Sequence, residues 1–132
     1  MFSIHHTRDG RVPPTECLPA VAGNHAIGDL LVFSDGLLTP VSAELGAGTD
    51  DGRHFVSVAE KVCEEGDLLP VVAAGEDVVL EVALTKAVEG IAPGAVCTVS
   101  GSSLEAVAEG GAFTVLQSDG TAVGDLQRGV LI

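Results

Sequence analysis

A short pattern recurs along this chain: a Gly-Asp turn, a brief apolar strand, a second tight turn and another brief strand. Gly28-Asp29-Leu30-Leu31 opens the first copy, Gly66-Asp67-Leu68-Leu69 the second, and Gly124-Asp125-Leu126 echoes it near the end. Glycine takes positive φ without steric cost, and aspartate bonds its own backbone within a turn. The apolar runs behind these turns have the length of strands rather than helices. The pattern predicts an all-β chain, a small antiparallel β-barrel or sandwich.

Two regions follow from composition along the chain. Residues 1–19 hold Pro13-Pro14 and Pro19 among polar residues, and read as an extended N-terminal arm. The arm docks on its own domain or on a neighbour, or it is a frayed terminus. Its apolar residues Phe2, Ile4, Val12, Pro13, Pro14 and Leu18 are the candidate partner-binding residues. Residues 20–132 read as a single β domain of eight to ten short strands. Residues 30–33 and 37–42 flank Ser34-Asp35-Gly36, a hairpin signal. Residues 46–52 form a polar loop, and residues 54–58 a strand with Val56 and Val58 on one face. Residues 68–72 and 78–84 form a further hairpin, in which Val78, Leu80 and Val82 alternate with Val79, Glu81 and Ala83. Residues 95–99 pair with 104–107, and 113–117 turn through Ser118-Asp119-Gly120 toward a terminal strand at 128–132. The one stretch with helical character is 83–89, closely bounded by glycines and Pro93.

With 132 residues the chain can bury one core without disulfides or metals. Its net charge of −13 repels phosphate backbones and anionic membranes and favours partners with basic or neutral faces. Four phenylalanines, with no Trp or Tyr, make a poor stacking platform for single-stranded nucleic acid or sugars. Neither nucleic acid nor membrane is therefore an expected partner. Cys17, Cys63 and Cys97 are odd in number and widely spaced, a pattern that predicts free thiols in a reducing compartment. The first residues lack the apolar region of a secretory signal, so the expectation is a chain made and folded in a cytoplasm.

The residue types for chemistry are present without the spacing that chemistry needs. His5, His6, His25, His54 and the cysteines form no zinc pattern. Asp50-Asp51 and Glu64-Glu65-Gly66-Asp67 lack the alternating oxygen ligands of a calcium loop and read as solvated turn acids. No Gly-x-Ser-x-Gly elbow occurs, and no phosphate-cradling glycine loop leads into a helix. The expectation is a non-catalytic protein with no cofactor and no metal.

Two family resemblances bear on function. The stretch from Glu64-Glu65-Gly66-Asp67 to Gly75-Glu76, then Glu81-Val82-Ala83-Leu84-Thr85-Lys86-Ala87, resembles the first half of a biotinyl or lipoyl carrier domain. That alternative implies Lys86 as the attachment site, with Thr85 where the family commonly has Asp or Met. More of the chain, from about residue 20 to 132, is similar to the capsid decoration, or head-stabilising, proteins of tailed bacteriophages. The matching segments are Ala26-Ile27-Gly28-Asp29-Leu30-Leu31-Val32, Gly36-Leu37-Leu38-Thr39-Pro40-Val41, Phe55-Val56-Ser57-Val58-Ala59, Gly66-Asp67-Leu68-Leu69 and Gly94-Ala95-Val96. Ser57 stands where that family has Gly. This resemblance implies a β-rich body, a homo-oligomer, trimeric or otherwise symmetric, and binding to the major capsid protein on the virion surface after assembly in the bacterial host cytoplasm.

Overall fold

The Gly-Asp turns are the joints of the structure. The computed structural model describes residues 2–7, 10–41, 53–100 and 103–131. In each of three turns the Asp N–H donates to the carbonyl three residues back, Asp29 to Ala26, Asp67 to Glu64 and Asp125 to Ala122, at 3.0–3.2 Å. The carboxylate Oδ2 of the same Asp accepts from the N–H of that same residue at 2.9–3.1 Å. The glycine between them has φ near +85 to +89°, the left-handed geometry a type II turn requires. Ala92-Pro93-Gly94-Ala95 makes the same turn, with Ala95 in the aspartate's place and packed against the core.

Each turn is also locked to a residue of a second, distant segment. Gly28 N–H donates to Ser57 O and Ser57 N–H to Asp29 O. The pairs Gly66 and Asp67 with Ala20, Gly94 and Ala95 with Val115, and Gly124 and Asp125 with Leu84 repeat these two bonds at 2.8–3.0 Å. Two residues face one, with a left-handed glycine first: a β-bulge fused to a turn.

Thirteen antiparallel strands occur among the described residues: β1 (Phe2–Thr7), β2 (Thr15–Pro19), β3 (Gly23–His25), β4 (Leu30–Ser34), β5 (Leu37–Pro40), β6 (Arg53–Ser57), β7 (Lys61–Cys63), β8 (Leu68–Ala74), β9 (Val78–Ala83), β10 (Val96–Ser100), β11 (Ser103–Val107), β12 (Phe113–Ser118) and β13 (Leu126–Leu131). One sheet runs β2-β8-β6-β4-β5, the other β1-β9-β13-β12-β10-β11, and β3 pairs with β7 in a small ribbon. The fold is all-β and sandwich-like rather than a closed barrel. The first sheet curls until its edges meet where Ala20 bridges Leu38.

The two sheets are the same unit built twice. Leaving β1 aside, the strands of each sheet lie in the order first, fifth, fourth, second, third along the chain. The registers coincide too. Leu31 faces Phe55 and Phe55 faces Ala73, as Cys97 faces Phe113 and Phe113 faces Leu131. Leu18 faces Leu69 as Val82 faces Gln127, and Phe33 faces Leu38 as Val99 faces Leu104. The ribbon β3-β7 shrinks in the second unit to one bond from Val88 N–H to Thr121 O at 3.1 Å.

Alternation divides the apolar residues between two cores. In the first sheet one face, Leu31, Leu38, Phe55, Leu69 and Val71, fills the curl with Cys63. Its opposite face, Leu30, Val32 and Val56, joins the inner face of the second sheet in the main core, with Leu80, Val82, Cys97, Phe113 and Leu131.

Several expectations are revised. Residues 83–89 form no helix, because Leu84 and Val88 spend their N–H groups on Asp125 and Thr121 of another segment. Strands β8 and β9 are not a hairpin but lie in different sheets, so the chain passes between units there. Four of the strands were not expected: β1 and β2 within the arm, and the three-residue β3 and β7. Val56 is buried whereas Val58, one residue past the end of β6, is exposed. The loop expected at 46–52 lies outside the described residues.

Candidate functional site

The N-terminal segment is extended, as its prolines dictate, and it docks on its own domain. Strand β1 pairs with β9, placing Phe2 opposite Val82 and Ile4 opposite Leu80. Phe2 is 1% exposed, with its ring centroid 6.0 Å from that of Phe113, and its N–H donates to Gly28 O at 2.9 Å. Ile4 packs partly buried on the same core. Strand β2 pairs with β8, and Leu18 packs on the smaller core. Of the six candidate partner-binding residues, Phe2, Ile4 and Leu18 are thus turned inward, a correction to their reading as a partner surface. Their apolar alternation is that of a strand covering its own core.

Val12, Pro13 and Pro14 are different. They line a groove of about 660 Å³, faced across by Ala73, Ala74 and Val78. Val12 is 92% exposed. Arg11, Arg53, Glu16 and Asp77 supply the groove with two cations and two carboxylates, and Arg53 Cζ lies 5.3 Å above the ring centroid of Phe55. An apolar channel with mixed charge suits an extended peptide better than a small reacting molecule. Arg53 and Asp77 were not distinguishable in sequence, since each borders a strand whose partner is distant in the chain.

The remaining chemistry-bearing residues are dispersed. Among the described residues no three His, Cys, Asp or Glu side chains come together in a metal-holding group. His25 is buried, with Nε2 at 2.8 Å from Val21 O and Nδ1 without a partner. Gln127 is buried likewise, donating through Nε2 to Gly120 O at 2.7 Å while its Oε1 has no partner. Cys17 is exposed on β2, Cys63 and Cys97 are buried in separate cores, and burial pushes the Cys97 thiol up to about 11. Asp67 caps its own turn, and Asp50 and Asp51 lie outside the described residues.

Lys86 follows β9 in the long connection to β10, tied to the other edge of its sheet by an ion pair with Glu105 on β11. The Lys86 ammonium, with a hydrogen bond from Ser103, holds the Glu105 carboxyl below the usual carboxylate range. Leu84 and Val88 on either side are bonded to Asp125 and Thr121, so this lysine does not stand at the tip of a two-strand hairpin.

No protein-family model, no curated protein and no solved structure matches this chain.

Proposed function

We propose that this is a non-catalytic structural protein, a capsid decoration or cement protein of a tailed bacteriophage or prophage. It binds the outer face of a shell on the virion as a homo-oligomer, a trimer, with the major capsid protein as partner. One observation carries the reading: the motifs behind the family resemblance are the ones that lock this fold. Gly28 and Asp29 clamp Ser57 inside Phe55-Val56-Ser57-Val58-Ala59, and the Gly66, Gly94 and Gly124 turns repeat the clamp on Ala20, Val115 and Leu84. A cement protein transmits load between the subunits it bridges, and paired backbone bonds between turns and distant segments resist splaying of the sheets. The net charge of −13 favours a protein partner over nucleic acid.

The carrier-domain alternative has less support, since swinging-arm attachment needs a lysine free at a hairpin tip and Lys86 is paired with Glu105 beside β11. The test is pelleting with empty shells of the major capsid protein from the same genome. Saturable co-sedimentation at fixed stoichiometry is expected, together with shells that survive higher temperature. A chain left wholly in the supernatant overturns the proposal.

A further inference from the structure

The two units differ sharply at one equivalent place. On the outer face of the second sheet, Glu81 of β9 faces Arg128 of β13. Arg128 Nε donates to Glu81 Oε2 at 2.8 Å and Nη1 to Gln117 Oε1 at 3.0 Å, a ladder built for water. The same register in the first sheet holds Cys17 of β2 facing Pro70 of β8, with Pro19 facing Leu68 alongside. Cys17 is exposed, Leu68 is 53% exposed, and Val58, 39% exposed, adjoins them through its N–H to Pro70 O at 3.2 Å. None of these five residues carries a charge, in a chain with 19 acids. Two of these five positions, those of Cys17 and Pro70, hold the Glu81–Arg128 ion pair in the sister unit, and their replacement here by uncharged residues leaves a contiguous apolar strip of the kind that marks a contact surface.

The fold also indicates what fits it. The strip continues the sheet face whose other part, Leu30, Val32 and Val56, is buried in the main core against the second five-stranded unit. This face therefore already accepts one unit of the same topology, and its β2-β8 end is left uncovered. We infer that Cys17, Pro19, Val58, Leu68 and Pro70 form a self-association face, and that a second copy of this chain covers it. Lys61 borders the strip, its Nζ donating to Leu68 O at 2.7 Å, and the acidic body of a second copy offers it carboxylate partners. The inference rests on the homo-oligomer of the proposed function and supplies its surface.

The test transplants the sister pair. The double variant Cys17→Glu with Pro70→Arg places in the first unit the residues that the second unit accommodates at that register. Sedimentation velocity should show the parent chain at a multiple of 13.3 kDa. The variant should sediment as the single chain, its dissociation constant raised about tenfold or more, with an unchanged far-UV spectrum. A parent that sediments as a single chain, or a folded variant as associated as the parent, overturns the inference. Should the double variant lose its β spectrum, Leu68→Asn replaces it with the same two outcomes. Shell pelleting of these proteins separates the readings. A variant still associated and still shell-bound removes this face and leaves the capsid role, whereas a dissociated variant whose parent ignores shells does the reverse.

Discussion

At Gly129 the repeat meets a packing constraint that register alone does not show. Its counterpart in the first unit is Val71, a buried core residue. A Cβ at 129 would lie 2.2 Å from Thr114 O and 2.7 Å from the ring of Phe113, so the space is already taken. Gly129→Val, which copies the sister unit, should cost about 2–3 kcal/mol by forcing Phe113 and the β12 backbone apart. Urea denaturation measures this, and a variant as stable as the parent would mean that Phe113 can turn aside freely. Nothing in the sequence near Gly129 announces the constraint, because the opposing ring comes from another strand. By contrast Val78, Leu80 and Val82 were legible as one inward face, since period-two alternation is local.

Among the elements, the turns were the most readable and the strand partners the least. A Gly-Asp pair fixes its own geometry through atoms three residues apart, so residues 26–29, 64–67 and 122–125 could be placed from sequence. The bulge that each turn makes with a distant residue could not, nor could the passage from β8 to β9 between sheets, which depends on the edge each strand finds. The three aspartates give a matched series. Asp29→Ala, Asp67→Ala and Asp125→Ala each remove one charged hydrogen bond to a backbone N–H and should each lower stability by about 1–2 kcal/mol. Chemical denaturation of the three variants checks this. Midpoints equal to that of the parent would show that the backbone bonds alone hold the turns. The fourth turn already does without the carboxylate, because Ala95 faces the core and a buried charge there would be costly.

For the whole molecule, the N-terminal segment decides how separable the two units are. Strand β1 belongs to the sheet of the second unit and β2 to that of the first, so these two strands clasp one unit to the other. Of the alternatives open for this arm, docking on its own domain is the one the strand pairing shows. Phe2→Ala should cost about 3–4 kcal/mol, as for other fully buried phenylalanines, and deleting residues 2–7 should cost at least as much. Thermal unfolding is the measurement, and an unchanged melting temperature on deletion would mean that β1 adds nothing to the fold. The sequence showed that this segment is extended and apolar but not which surface it meets, because a strand docked on its own core and one docked on a neighbour share the same pattern. Of its six candidate partner-binding residues, Val12, Pro13 and Pro14 line the groove instead. The clasp also sets an order of events on the ribosome. Strand β1 is synthesised before β9, and this partner emerges only after the whole first unit has been made. Until then Phe2 and Ile4 lack the β9 edge they pack beside, which leaves an apolar segment of the nascent chain uncovered throughout that interval.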